Sequence, residues 1–444
     1  MHHFDYRDGV LHGEGVSLEA LAATVGTPCY VYSRATLVRH WQVMDAALAA
    51  VDHTICYSVK ANSNLAVLQL LASLGSGFDI VSRGELERVI AAGGDPSRVV
   101  FSGVGKGDAE IEAALIAGIR CVNVESGDEL AVIEGVARSL DLRAPIAIRV
   151  NPDVDARTHA YIATGLKTSK FGVDVDRAMA LYRVAAASPH LEVVGVDTHI
   201  GSQLTDVEPL VEALDCVLAL VDRLAAEGIT LRHVDMGGGL GIPYRDEITA
   251  PPRAYGEALC SRLSARGLSL IVEPGRVIAG NAGLLLMRVL ATKENGEKRF
   301  VIVDAGMNDN MRPTLYGAWQ RIMPVRDPGD APLAAVDVVG PVCETGDFFA
   351  KDRDLPPARR GDLLAMMSAG AYGFAMASTY NSRVRPAEVL VHGDAWALIR
   401  ERESVSDLWR GEHLIDASWL APGAADDPDD HGGHGGHGGG TRQR

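Results

Sequence analysis

The stretch Thr54-Ile55-Cys56-Tyr57-Ser58-Val59-Lys60-Ala61-Asn62 is an apolar, β-prone run that carries one lysine to its end, where Asn62 and Ser63 open a helix. A buried strand ending in lysine is a costly way to place an ammonium. Apolar surroundings favour the neutral amine, and a neutral amine is what an aldehyde needs to form a Schiff base. Most lysines are simply solvated. Lys60 acquires chemical meaning only if the rest of the chain builds a site around it.

Outward from this stretch the same rhythm repeats. Strand-like runs fall at 54–59, 78–81, 99–102, 121–124, 145–150, 191–198, 231–235 and 268–272. Helical periodicity lies between them, clearest at 65–71, 85–90 and 207–227. Short β-branched runs alternating with helices imply a parallel sheet of the α/β class, and eight such units close into a (β/α)8 TIM-like barrel. An open doubly wound sheet is the rival, and the count of eight fits it less well. After Arg276 the alternation stops. Runs at 284–290, 299–304, 335–339 and 388–391 read as strands separated by turns such as Asp327-Pro328-Gly329. The expected organisation is a barrel over 34–276 and a second, mainly β domain, sandwich- or barrel-like, over 277–421. Residues 1–33 join that domain through the strand-like Pro28-Cys29-Tyr30-Val31-Tyr32. The Gly- and His-rich tail, 422–444, is expected to be disordered, and its His431, His434 and His437 are assigned no metal.

Bulk composition narrows the function. The 444 residues carry a formal charge of −16, with 47% apolar and 23% charged residues. That balance suits a globular chain and argues against nucleic acid as partner. The six cysteines show no CxxC pair, which fits free thiols in a reducing compartment. The chain has no apolar run approaching a membrane span and begins without a signal-like segment. A cytoplasmic location with no membrane partner is the expectation.

In barrels of this type the working groups stand at the C-terminal strand ends, and phosphate is held after strands seven and eight. Strand seven runs into Met236-Gly237-Gly238-Gly239-Leu240-Gly241, and strand eight into Glu273-Pro274-Gly275-Arg276. Glycines there let backbone N–H groups approach a phosphate. Strand six ends in His199-Ile200-Gly201-Ser202-Gln203. A flat imidazole can lie on a planar cofactor while Ser202 reaches a phosphate oxygen. Glu273 is a carboxylate in the barrel mouth, and a protonated pyridine nitrogen would be its natural partner. Lys60, His199, the glycine run and Glu273 together point to pyridoxal 5'-phosphate.

These motifs resemble those of the barrel-type, fold type III pyridoxal-phosphate-dependent decarboxylases. The second domain narrows the resemblance. Asp304-Ala305-Gly306-Met307-Asn308-Asp309, Arg312-Pro313-Thr314-Leu315-Tyr316-Gly317-Ala318, Gly340-Pro341-Val342-Cys343-Glu344-Thr345-Gly346-Asp347 and Gly370-Ala371-Tyr372-Gly373 are similar to the diaminopimelate decarboxylases. The likeness runs in order from about Pro28 to Leu420. Ser58 stands where alanine is common, Thr345 where serine is common, and Trp319 where tyrosine is frequent.

The resemblance implies roles. Lys60 carries the cofactor, His199 stacks on its ring and Glu273 faces the ring nitrogen. Gly237, Gly238, Gly239, Ser202, Pro274, Gly275 and Arg276 surround the phosphate, with Asp79 supporting the cofactor side. Arg276 also reaches the substrate. Arg312 and Tyr316 take the substrate's far end, and Tyr372 lies between cofactor and substrate. Cys343 and Glu344 enter the neighbouring subunit's site, which makes a homodimer with shared sites; Cys343 is the candidate general acid and Glu344 suits the distal ammonium. The implied reaction is decarboxylation of meso-2,6-diaminopimelate to L-lysine, the last step of lysine biosynthesis. A site of paired polar groups disfavours analogues lacking the matching group by roughly 10⁴-fold, so diaminopimelate should be chosen over ornithine. Other readings are a decarboxylase of a basic or carrier-linked amino acid, a racemase, and a cofactor-binding protein without turnover. Residues 167–172, Lys-Thr-Ser-Lys-Phe-Gly, are a lid candidate.

Overall fold

The computed structural model describes residues 2–154 and 170–420. The tail from 422, with its three histidines, and residues 167–169 of the lid candidate lie outside the described residues.

Eight parallel strands close into a barrel in chain order: β1 (His53–Ser58), β2 (Gly77–Ile80), β3 (Val99–Phe101), β4 (Cys121–Val124), β5 (Ala144–Arg149), β6 (Leu191–Asp197), β7 (His233–Asp235) and β8 (Ser269–Val272). The boundaries differ from the sequence reading by a residue or two. The strands are buried on both faces, which is why they read as continuous apolar runs. Small side chains fill the barrel interior: Cys56, Val100, Cys121, Ala147, Val194 and Ile271 pack on one another. Helices ring the outside and start close behind the strands. Asn64, Ser82 and Ser126 each accept a first-turn N–H and so fix where Leu65–Ser73, Arg83–Ala91 and Gly127–Ser139 begin. The first of these starts two residues after Ser63, because Val59–Ala61 forms a 3-10 turn that holds Lys60.

Beyond the barrel a nine-stranded sheet is built on the long strand Gly283–Asn295. It pairs antiparallel with Cys29–Ser33, Leu363–Met366 and Lys298–Val303 along its length. The N-terminal run therefore belongs to this second sheet. The expected strands there are all present. The sequence reading omitted Ile322–Pro324, Phe348–Leu355, Leu363–Met366 and Ala395–Arg400, along with the small sheet formed by Phe4–Arg7, Val10–Gly13 and Val16–Ser17. Most are short, and Phe348–Leu355 carries Lys351, Asp352, Arg353 and Asp354 outside any apolar alternation.

Two contacts bring this sheet onto the barrel mouth. Tyr372 donates its backbone N–H to Ala61 O at 2.8 Å, and Asn62 Nδ2 donates to Gly370 O at 3.2 Å. The loop at 370–372 is thus docked on the turn that carries Lys60. Tyr372 has φ +57, a conformation disfavoured by about 1–3 kcal/mol for a residue with a side chain and sustained here by that docking.

Candidate active site

Lys60 opens into a cavity of about 480 Å³ at the C-terminal mouth of the barrel. Its Nζ donates to Asp79 Oδ2 at 2.5 Å, and Ser58 Oγ donates to the same oxygen at 2.8 Å. Asp79 is fully buried at the end of β2, while 39% of the Lys60 side chain faces the cavity. Here the structure corrects the expectation of a neutral amine. Burial pulls the Lys60 amine down, but the carboxylates of Asp79 and Glu273 outweigh it and hold it above the ordinary lysine value. One nearby anion reverses the effect of desolvation.

Glu273 follows β8 and is buried at the cavity floor. Its Oε2 lies 2.8 Å from His199 Nε2, and that nitrogen lies 3.1 Å from Asp197 Oδ1. Ser102 Oγ stands 3.4 Å from the other Glu273 oxygen and receives a bond from Asn123 Nδ2. Asp197, His199, Asp235 and Glu273 bring ligand-type atoms within 4.8 Å of one another. So much negative charge in one place cannot all be ionised. Burial lowers the His199 imidazole, but Asp197 and Glu273 raise it well above its usual value, so it bridges them as a cation. Burial raises the Asp197 carboxyl, but His199 and Arg149 win and keep it ionised. Burial, then Glu273 and Asp197, push Asp235 far up, making it the protonated member. Glu273 is raised by burial and Asp79 and eased back by His199.

Backbone conformation shapes the phosphate end. Gly239 adopts φ +113, where a Cβ would meet Gly201 O at 2.7 Å, and a Cβ on Gly237 (φ +60) would strike the His199 ring at 2.6 Å. Gly275 is as confined, with Ala61 and Ser58 about 3 Å from any Cβ. Gly238, Gly239, Pro274 and Gly275 line the cavity, whereas Gly237 sits behind His199. Arg276 donates from Nη2 to Ser202 Oγ at 3.0 Å and from Nη1 to Tyr244 Oη at 2.6 Å.

The far wall comes from the second sheet. Arg312 begins the short helix Arg312–Tyr316 and is 7% exposed. Its guanidinium lies 5.5 Å from the Tyr316 ring and 5.8 Å from both Tyr244 and Tyr372, and Arg276 lies 5.0 Å from Tyr372. Neither arginine has a carboxylate partner among the described residues. Their Nε atoms are buried and unbonded. Burial, with Arg276 adding, lowers Arg312. Two desolvated cations ringed by tyrosines form a receptor for an anion.

The structure therefore gathers Lys60, Asp79, His199, Ser202, Gly238, Gly239, Glu273, Pro274, Gly275, Arg276, Arg312, Tyr316 and Tyr372 at one mouth, with Gly237 behind His199. It does not gather Cys343 and Glu344. Both are exposed and absent from this cavity; Cys343 donates its backbone N–H to Asn381 Oδ1 at 2.8 Å. Sequence reasoning missed Asp197, Asp235, Ser102, Arg149 and Tyr244. The two aspartates had a usable signal, a carboxylate closing an apolar strand. From the lid candidate, Phe171 lines the cavity, 4.6 Å from the Arg149 guanidinium.

A buried Asp79 oxygen beside Lys60 with no hydrogen bond among the described residues, the Glu273 carboxyl paired to His199 at the cavity floor and a cradle too tight for Cβ atoms fit a phosphorylated aromatic ring with a basic nitrogen. Barrels that secure such a ring on a strand-end lysine constitute the pyridoxal-dependent class. Residues 34–280 match the family described as pyridoxal-dependent decarboxylase, pyridoxal binding domain. The diaminopimelate decarboxylase of Pseudomonas aeruginosa is 57% identical over 414 residues, 93% of this chain and 99% of the relative. That of Vibrio cholerae serotype O1 is 56% identical over 417 residues, 94% and 100% of the two chains. The crystal structure of the Helicobacter pylori diaminopimelate decarboxylase complexed with L-lysine superposes with a TM-score of 0.86 at 47% identity, covering 88% of this chain and 98% of that one. The chain belongs to the diaminopimelate decarboxylase family of pyridoxal-dependent decarboxylases.

Proposed function

We propose that the protein decarboxylates meso-2,6-diaminopimelate to L-lysine and CO2, the last step of lysine biosynthesis, with pyridoxal 5'-phosphate as cofactor. One observation carries the reading: Lys60 and Glu273 open onto the same cavity as two arginines that have no carboxylate partner among the described residues. The family and the L-lysine in the Helicobacter pylori relative support it, lysine being the product of this reaction.

When bound, the cofactor supplies an aldehyde for attachment and a ring that accepts the electron pair left by departing CO2. Lys60 is the attachment point, and Asp79 orients its amine. Gly238, Gly239, Pro274, Gly275, Ser202 and Arg276 would hold the phosphate end, and Gly237 makes room for the His199 ring. Glu273 would partner the ring nitrogen, and His199 would pack on the ring. Arg312, Tyr316, Tyr372 and Arg276 fix the substrate's distal carboxylate, which orients the reacting carboxylate by leverage. Cys343 of the partner subunit would return the proton at Cα, and Glu344 of the partner subunit would hold the distal ammonium; their exposure here suits residues that act across a homodimer interface.

The division into a 34–276 barrel and a β domain of 1–33 and 277–421 belongs to the same reading. So does a cytoplasmic site of action; among the described residues no helix is long and apolar enough to cross a membrane.

The test is CO2 evolved from meso-diaminopimelate, ornithine and arginine by purified protein loaded with cofactor. Release from diaminopimelate alone is the expected result. Comparable kcat/KM for ornithine would remove the specificity assignment, and a yellow but inert protein would remove the catalytic one.

A further inference from the structure

Trp319 stands between two cavities. It lines the active-site cavity together with Arg312 and Tyr316. Behind it lies a second cavity of about 370 Å³, walled by Arg321, Met323, Asp327, Leu333 and Arg353. Among the described residues Trp319 is the side chain common to both.

The indole is a fixed wall. The Arg353 guanidinium lies 4.2 Å from its ring on one strand of the second sheet, and Arg245, from the loop after β7, lies 5.7 Å away. Arg353 Nη1 also donates to Gln320 O at 2.8 Å. The buried Gln320 side chain donates to Met367 O and Ser368 O and accepts from Asn310 Nδ2 at 3.1 Å. Swinging the indole aside would separate it from Arg353 and strain a backbone tied down at the next residue. A rigid apolar partition of this kind discriminates by leaving no room.

Building on the assignment of diaminopimelate as substrate, we infer that Trp319 sets the far limit of the substrate cavity and is the specificity-determining residue that excludes substrates acylated on the distal amine. Arg312 and Tyr316, which hold the far end of the substrate, share the cavity wall with the indole three residues further along the chain. An acyl group on the distal amine enlarges that end of the substrate, and where it turns from the partner subunit's Glu344 toward Arg312 and Tyr316 it meets the indole. Shortening the side chain joins the two spaces and gives the acyl group a place to go.

The experiment measures kcat/KM, by CO2 release from cofactor-loaded enzyme, for meso-diaminopimelate and for its derivative acetylated on the distal amine. Wild type, Trp319→Ala and Trp319→Phe are compared. Trp319→Ala should raise the ratio of acetylated to free substrate by roughly 10-fold or more, and Trp319→Phe, which keeps a flat wall, should leave it near wild type. A ratio unchanged in Trp319→Ala, or raised equally in both variants, overturns the inference. Should Trp319→Ala lose its cooperative thermal transition, Trp319→Leu, which shortens the wall and keeps it apolar, is read under the same criteria. Wild-type release of CO2 from unmodified diaminopimelate tests the parent assignment separately, so the two failures are distinguishable.

Discussion

Glu273 and His199 meet at 2.8 Å, Oε2 to Nε2, in a site where the imidazole is also 3.1 Å from Asp197. The imidazolium therefore pulls the Glu273 carboxyl back toward its ionised form, against burial and Asp79, which hold it above its ordinary value. Replacing Glu273 by Gln keeps the shape and removes the charge. Cofactor should still attach to Lys60, seen as its visible absorbance, while kcat falls by roughly 10²–10³ because the charge that holds the ring nitrogen protonated is gone. An unchanged kcat would show that the ring nitrogen is served by another group.

Asp79 holds the Lys60 amine protonated, so cofactor attachment to the cofactor-free protein should speed up as pH rises and the neutral amine becomes available. In Asp79→Asn the leading stabilising charge is lost and the amine's pKa drops. The rise in attachment rate should move to lower pH, followed as growth of the visible band after adding pyridoxal phosphate. An unmoved profile would deny Asp79 this role.

Arg312 is buried beside Tyr316, with no carboxylate partner among the described residues. Its replacement by Gln should lower kcat/KM for diaminopimelate by roughly 10–100-fold, the worth of one charge-assisted bond to the distal carboxylate. Most of the loss should fall on KM. A fall confined to kcat would place Arg312 at the reacting carboxylate instead.

Lys60→Ala and Cys343→Ala should each be inactive alone. If Cys343 serves the partner's site, mixed and re-associated subunits should recover up to about one quarter of the wild-type sites, since half the dimers are mixed and one site in each is whole. CO2 release by the mixture that does not exceed either parent would return Cys343 to a surface residue.

His233, on β7 inside the barrel, is pushed down to about 3 by burial, with Arg120 adding to the effect. Between that value and 6.5 the unfolded chain takes up a proton that the folded chain refuses. Stability contributed by neutral His233 is complete above 6.5 and falls as pH drops, by about 1.4 kcal/mol per unit. Between pH 6.5 and pH 5 the urea-unfolding free energy of wild type should fall by about 1.6 kcal/mol more than that of His233→Gln, since at 6.5 the unfolded histidine is half protonated.

The barrel was readable because its strands are buried on both faces and so stand out as apolar runs between helical stretches. Lys60, Glu273 and the glycines were readable because each ends such a run, where a barrel exposes its loops. In the sequence Asp197 and Asp235 are only the ends of apolar strands, Arg149 is one charged residue near the end of another, and Tyr244 lies in no pattern. The omitted strands, such as Ala395–Arg400, form edges or short pairs with little local periodicity. Trp319 drew notice only as a departure from tyrosine. That it divides two cavities follows from the packing of Arg245 and Arg353 on its ring, contributed by remote segments.

Residue order alone thus settled the strand count, the lysine at the end of the first strand and the glutamate at the end of the last, since each is a local pattern of burial and chain direction. Which groups carry charge was decided by folding. The amine of Lys60 is an ammonium because β2 sets Asp79 beside it, and His199 is a cation because β6 and β8 close two carboxylates around it. Protonation depends on neighbours that are distant in the chain and angstroms apart in space, and only the closed barrel brings them together.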